Sequence, residues 1–213
     1  MKAVIFDLDG TLLNTIDDIA DSMNSILKRY GLPLHTVPEY KYFVGDGMAN
    51  LVRRSAPGAE AAGYPWSRLE TEYNAEYLLR QADKTRPYDG IPELLTALNG
   101  RGVKIAVLSN KPHDATLRII ARYFPDIHFD AIIGQRPGYP VKPDPGGALE
   151  ILGIMGEPPD ETLYVGDTGT DMRTAKAAGL QAAGVLWGFR EKDELAENGA
   201  GLFIRRPLDL LDL

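Results

Sequence analysis

The pattern that most constrains the fold is an alternation of apolar and amphipathic segments from Tyr88 to the C-terminus. The short apolar segments VKIAVLSN, FDAIIG, ETLYVGD and LQAAGVLWG each lie between stretches with helical spacing of apolar residues. Strands that are apolar at nearly every position are typical of parallel sheets covered by helices on both faces. The sequence therefore predicts an α/β fold with a parallel-sheet core. The segment from Lys2 to Phe6 has the same character, and we expect it to join that sheet.

The region between this first strand and the later array has a different character. It contains helical patterns, a break at Gly45-Asp46-Gly47 with Asp46 as a candidate N-cap, and no strand pattern. We therefore predict a discontinuous α/β core made of residues 1–16 and 84–213. A helical domain of residues 17–83 is inserted into it.

Composition restricts the partners of such a protein. The net charge of −7 argues against a broad nucleic-acid interface, which needs a basic surface. The sequence contains no run of 18 apolar residues, so no membrane span is expected, and the N-terminus lacks a signal-peptide pattern. There is no cysteine for disulfides or thiol catalysis. We expect a cytoplasmic protein, either monomer or homodimer, with neither nucleic acid nor membrane as a partner.

Polar residues follow four of the predicted strands, where an open α/β sheet binds its ligands. These segments are DLDGT at 7–11, SN at 109–110, KPDP at 142–145 and GDTGTD at 166–171. Carboxylates crowded at one edge repel each other and are costly to bury unless a cation holds them. Oxygen ligands of this kind suit Mg²⁺, and a hydroxyl with a lysine suits phosphate. The sequence therefore predicts a magnesium and phosphate site at this edge.

These four motifs, in this order along the whole chain, resemble those of the haloacid dehalogenase superfamily of phosphatases. The insertion is similar to the helical cap domain of that superfamily, which would give a Rossmann-like core with an inserted cap. Within the superfamily, the segments FVGDGMANLVRR, SNKP at 109–112 and GVLWGF at 184–189 are most similar to the phosphoglycolate phosphatases. The resemblance implies Mg²⁺-dependent hydrolysis of a small phosphate monoester, with 2-phosphoglycolate expected, through an aspartyl-phosphate intermediate.

The resemblance also implies roles for individual residues. Asp7 would attack phosphorus, and Asp9 would act as the general acid and base. The Asp7 carboxylate, the Asp9 backbone carbonyl and Asp167 would hold Mg²⁺, with Asp171 in support. The phosphate would be bound by Ser109, Asn110 and Lys142, and the loop would be shaped by Gly10 and Thr11. Two cations of the insertion, Arg53 and Arg54, are candidates for reading a carboxylate on the substrate.

Several alternatives differ in the use they make of Asp9. A dehalogenase has no use for an acid at this position, and a phosphonate hydrolase of the superfamily lacks it. A sugar-phosphate mutase keeps Asp9 but tends to carry a histidine on the segment leading into the cap, where IDDIADSMNS has none. A pyrophosphatase or a broad small-molecule phosphatase stays open. A non-enzymatic phospho-receiver domain is disfavoured because Asp9 would promote turnover, and because the insertion is absent from receivers.

Overall fold

The computed structural model describes all residues, 1–213. The chain forms two compact units. One consists of Met1–Asn14 and Pro87–Leu213, and the other consists of Thr15–Arg86. None of the helices is both long enough and apolar enough to span a bilayer.

The strands belong mainly to the first unit, the α/β unit. In chain order they are β1 (Ala3–Phe6), β2 (Leu13–Asn14), β3 (Arg86–Pro87), β4 (Lys104–Pro112), β5 (Ala131–Gln135), β6 (Thr162–Gly166), β7 (Gln181–Val185) and β8 (Leu202–Ile204). Six of them form one sheet in the order β5-β4-β1-β6-β7-β8, and the pairs in it are parallel. The predicted parallel α/β core is therefore confirmed.

The chain also forms nine α-helices. They are α1 (Ile16–Arg29), α2 (Val37–Phe43), α3 (Met48–Ser55), α4 (Trp66–Arg80), α5 (Ile91–Gly100), α6 (His113–Tyr123), α7 (Gly146–Met155), α8 (Gly169–Ala177) and α9 (Lys192–Glu197). Short 3₁₀ turns cover Pro159–Glu161 and Pro207–Asp212.

The central strand β1 explains why the sequence is apolar at successive positions. Val4 and Phe6 belong to a buried cluster on one face of the sheet, with Leu95 of α5 and Ile119 of α6. Ile5, whose side chain points the other way, belongs to the cluster on the opposite face. Alternate residues of a strand face opposite sides, so a strand covered on both faces has no polar position. The polar residues therefore begin only where β1 ends.

The second unit, the helical unit, is built around α1 and α4, which pack against each other. Leu69 and Tyr73 of α4 are buried within the protein. The buried carboxylate of Asp18 in α1 accepts hydrogen bonds from the backbone amides of Lys84 and Thr85, at 3.0 and 2.8 Å. This contact ties the C-terminal end of the unit to its first helix.

Two details differ from the sequence prediction. The N-cap of α3 is Gly47, with φ of 88°, so the prediction of Asp46 as N-cap was wrong. A positive φ favours glycine at this position, and the Asp46 carboxylate instead accepts a hydrogen bond from Arg54. The strands β2, β3 and β8 were not predicted, because two or three residues are too few for a periodic pattern.

Candidate active site

The position of β1 in the sheet brings the predicted motifs together. β1 pairs with β4 on one side and with β6 on the other, so Phe6 lies opposite both Val107 and Val165. The residue after Phe6 is Asp7, whose backbone amide donates to the carbonyl of Val165 at 2.9 Å. Parallel strands end at the same edge of the sheet, so the segments following β1, β4 and β6 share that edge.

Three carboxylates meet there. Oxygen atoms of Asp7, Asp167 and Asp171 lie within 4.8 Å of one another, and all three side chains are buried. Burial, together with the charge of Asp171, raises the pKa of Asp7 well above its usual range. The same two causes raise the pKa of Asp167 to about 7. A buried group of this kind is stable as three anions only when cations offset their charge.

One lysine supplies part of that charge. Lys142 Nζ lies 2.8 Å from Asp7 Oδ1 and 2.7 Å from Asp171 Oδ1, and its side chain is buried. Burial alone would lower the pKa of Lys142, but Asp171 and Asp7 outweigh burial and raise it well above its usual range. Lys142 therefore stays charged, while a single positive charge cannot offset three carboxylates.

Asn110 fixes the backbone of this lysine. Its side-chain amide donates to the Lys142 carbonyl at 3.0 Å, and its side-chain oxygen accepts from the Lys142 amide at 2.8 Å. Asn110 thus uses both ends of its amide group on one residue of another segment. It positions Lys142 across the gap between β4 and the loop after β5.

Asp167 is held by contacts from two other segments. Thr11 Oγ1 donates to Asp167 Oδ1 at 3.0 Å, and the amide of Phe189 donates to Oδ2 at 2.8 Å. Gly10 has φ of 89°, and a Cβ at this position would collide with the Asp167 carboxylate. Gly188 leaves room for the same side chain, since a Cβ there would also collide with Asp167. The loop residues Gly10 and Thr11 therefore shape the place of this carboxylate.

Asp9 lies outside the carboxylate cluster. Its side chain is 20% exposed, and both of its oxygens accept hydrogen bonds from Lys111 Nζ at 3.0 Å. Lys111 was not among the predicted site residues. The motif SNKP contains Lys111, but its approach to Asp9 depends on the pairing of β1 with β4, two strands that are far apart in the sequence. Asp9 is thus the carboxylate of the first motif that is placed nearest to solvent.

Ser109 is buried at the same edge, and its Oγ accepts a hydrogen bond from the Lys111 amide at 3.1 Å. Ser109, Asn110 and Lys142 all line a cavity of about 180 Å³, whose lining includes neither Asp7 and Asp9 nor Asp167 and Asp171. The structure thus brings the three predicted phosphate-binding residues together in the α/β unit.

The two predicted arginines lie in the helical unit. Arg54 donates to the Asp46 carboxylate and to the carbonyl of Phe43, the latter at 3.1 Å. The Arg53 guanidinium carbon lies 5.5 Å from the centre of the Trp66 ring. Each therefore has a contact inside its own unit, and their role in reading a carboxylate stays a prediction.

The donor set fits a hard divalent cation. The cluster offers carboxylate oxygens only, with neither cysteine nor histidine, and oxygen ligands are the preference of Mg²⁺. The raised pKa of Asp167 shows that burying these anions is unfavourable without a further positive charge. An α/β sheet whose central strand ends in such a cluster, next to a buried lysine and serine, defines an enzyme class that acts on phosphate groups.

Comparison with known proteins agrees with that class. Residues 4–185 match the family model for haloacid dehalogenase-like hydrolases. The chain is 32% identical to a phosphoglycolate phosphatase from Aquifex aeolicus, over 100% of this chain and 96% of the relative. It is 31% identical to phosphoglycolate phosphatase 1 from Pseudomonas aeruginosa, over 99% of this chain and 78% of the relative.

A solved structure from Haemophilus somnus, a protein predicted to be a phosphoglycolate phosphatase, superposes with a TM-score of 0.91. The two chains are 27% identical, and the match covers 100% of this chain and 97% of the other. The chain therefore belongs to the haloacid dehalogenase-like hydrolase family. Within it, the chain is a phosphomonoester hydrolase that resembles the phosphoglycolate phosphatases.

Proposed function

We propose that this protein hydrolyses 2-phosphoglycolate, or a closely similar small carboxylated phosphate monoester, with Mg²⁺ and through an aspartyl phosphate on Asp7. The observation that carries the proposal is the difference in surroundings between the two carboxylates of the first motif. Asp7 is buried and bound to Lys142, whereas Asp9 stands outside the cluster and is partly exposed. The names of the relatives support the choice of substrate.

Asp7 is placed to act as the nucleophile. Its Oδ1 is held by Lys142 Nζ and by the amide of Leu8, at 2.8 and 2.7 Å. Oδ2 would then attack phosphorus, and the bond from phosphorus to the leaving oxygen would break as the new one forms. A carboxylate nucleophile replaces one difficult displacement by two easier ones. Lys142 and Ser109 would bind the phosphoryl oxygens and offset the charge of the transition state.

Asp9 would carry the protons. In the first step it gives a proton to the leaving alcohol oxygen, and in the second it takes one from the water that attacks the aspartyl phosphate. Its partial exposure allows the alcohol to leave and water to enter on that side. Because an acid placed next to an aspartyl phosphate promotes its hydrolysis, Asp9 also favours turnover over a long-lived phosphoprotein.

The residues that would hold Mg²⁺ are Asp7, Asp167 and the backbone carbonyl of Asp9, with Asp171 in support. The ion would neutralise phosphoryl oxygens and so help an anionic nucleophile approach an anionic substrate. Thr11 and the Phe189 amide would keep the Asp167 carboxylate in place for this task.

We assign the helical unit to substrate selection, because it contains none of the four motifs of the α/β unit. Its two candidates are Arg53 and Arg54. The proposed partner is a small-molecule phosphate ester, and the expected cytoplasmic location and monomeric or homodimeric state stay predictions.

The direct test compares kcat/KM for 2-phosphoglycolate, glucose 1-phosphate, pyrophosphate and para-nitrophenyl phosphate, with Mg²⁺ and with excess EDTA. The proposal expects 2-phosphoglycolate to be preferred and EDTA to abolish turnover. Acid quenching during turnover of labelled substrate should trap a hydroxylamine-sensitive label on wild-type protein and none on Asp7→Asn. A preference for pyrophosphate, or transfer of the phosphoryl group to a second sugar phosphate, would contradict the assignment.

A further inference from the structure

We propose that Lys111 binds the substrate's own carboxylate, next to the leaving oxygen, and thereby selects phosphate esters of α-hydroxy acids. The inference rests on the proposed phosphatase function and deepens it. It starts from one contact, the approach of Lys111 Nζ to 3.0 Å from each oxygen of Asp9. The Lys111 side chain is only 4% exposed, so this contact lies in the site and not on the outer surface.

The backbone of β4 places the lysine there. The register of β4 against β5 shifts between Leu108 and Pro112, and Lys111 lies in this irregular stretch. Its amide donates to Ser109 Oγ at 3.1 Å, so the turn of the chain is held by the serine proposed to bind phosphate. One short segment therefore delivers a phosphate ligand and, two residues later, an ammonium group beside the acid.

The contact with Lys111 involves both oxygens of Asp9. An ammonium group only donates hydrogen bonds, and here it donates to both oxygens of the carboxylate. The leaving oxygen of the substrate must come within hydrogen-bond distance of one of these oxygens to receive a proton from Asp9. Whichever oxygen it contacts, the leaving oxygen therefore lies next to Lys111 Nζ.

The substrate can present an anion to this ammonium group. In a phosphate ester of an α-hydroxy acid, the carboxylate is attached to the carbon that carries the leaving oxygen. When Asp9 contacts this oxygen, the substrate carboxylate comes close to Lys111, whose ammonium group lies beside both oxygens of Asp9. Such a carboxylate would otherwise meet Asp9 as a like charge. An ester with its anionic group several bonds away would gain much less from Lys111.

The other buried cations of the α/β unit contact carboxylates other than Asp9. Lys142 binds Asp7 and Asp171, and Arg190 Nε lies 3.2 Å from Glu194. Among the buried cations, Lys111 is the one that contacts the proposed acid. This placement makes it the strongest candidate of the α/β unit for the leaving-group side of the substrate.

The test compares 2-phosphoglycolate with ethyl phosphate, because both release an unactivated primary alcohol and only the first has a carboxylate. The variants are Lys111→Met and Lys111→Gln, the second of which keeps donors for Asp9. The control is Lys2→Met, which removes the same charge from an ion pair with Glu161 on the surface. The readout is the ratio of kcat/KM for the two esters, measured on the full chain with Mg²⁺.

Each Lys111 variant should lower this ratio about 10- to 100-fold, the value of one charge-assisted hydrogen bond, and Lys2→Met should leave it unchanged. If both Lys111 variants lose activity equally on the two esters, or lose none, the lysine only positions Asp9 or is dispensable, and the proposal is wrong. If Lys111→Met does not fold, Lys111→Gln decides by the same ratio. Wild-type protein that hydrolyses neither ester would refute the proposed function instead.

Discussion

Replacing Asp167 by Asn should stabilise the metal-free protein at neutral and alkaline pH while abolishing metal-dependent activity. The Asp167 side chain is completely buried, and burial with the charge of Asp171 raises its pKa from 3.8 to about 7. As the pH rises, the unfolded chain loses the proton near pH 4, but the folded protein keeps it until about pH 7. The folded state therefore loses stability as the pH rises from about 4 to about 7, and it loses no more above pH 7.

The expected size follows from the pKa shift. Each pKa unit corresponds to about 1.4 kcal/mol, so full ionisation of Asp167 costs the folded state on the order of 4 kcal/mol. The uncharged amide avoids this cost and fits the same contacts. Its oxygen can accept from the Phe189 amide, while its NH₂ group can donate to Thr11 Oγ1, whose hydroxyl hydrogen can rotate away.

The assay is urea unfolding of wild type and Asp167→Asn, with EDTA, at pH 5 and pH 8. We expect the stability advantage of the variant to grow by a few kcal/mol between these two values. Adding Mg²⁺ at pH 8 should stabilise wild type and have little effect on the variant. If the variant exceeded wild type in free energy of unfolding by the same amount at pH 5 and at pH 8, ionised Asp167 would not be the destabilising group, and the reasoning would be wrong.

Four further substitutions test the assigned roles. Asp7→Asn should reduce turnover to the background rate without loss of fold, as judged by kcat and circular dichroism, because an amide cannot attack phosphorus. Asp9→Asn should lower kcat by roughly 10²–10⁴-fold, with a larger loss for 2-phosphoglycolate than for para-nitrophenyl phosphate, whose leaving group needs no proton; an equal loss on both would argue against a general acid. Of Arg53→Ala and Arg54→Ala, at least one should lower kcat/KM for 2-phosphoglycolate about 10- to 100-fold and leave para-nitrophenyl phosphate nearly unchanged, if an arginine of the helical unit binds the substrate carboxylate together with Lys111; equal effects on both substrates would exclude the two arginines and leave Lys111 as the cation that binds it.

The parallel sheet was predictable because its strands are buried on both faces and are therefore apolar at consecutive positions. β1 shows this directly, with Val4 and Ile5 buried on opposite faces of the sheet. β8 escaped prediction because its pairing with β7, rather than any local pattern, makes Leu202–Ile204 a strand. Local sequence carries little information about an edge strand that is so short.

The grouping of the site residues could be predicted from the rule that parallel strands end together, without knowing any distance. The contacts that refine the site could not. Lys111 reaches Asp9 only because β4 is paired with β1. The Phe189 amide reaches Asp167 from a loop that follows a different strand. Such contacts depend on strand register and loop geometry, which local patterns do not determine.

The charges of the site explain how these contacts work together. Three buried carboxylates and Lys142 leave the cluster with a charge of −2 when all are ionised, while Asp9 and Lys111 form a neutral pair. A divalent cation would neutralise the cluster, whereas a monovalent one would leave it negative. A phosphate dianion would then meet a site without net negative charge, even though the whole chain carries −7. A carboxylate on that substrate adds one further negative charge, and the ammonium group of Lys111, which lies beside Asp9, is the charge placed to balance it.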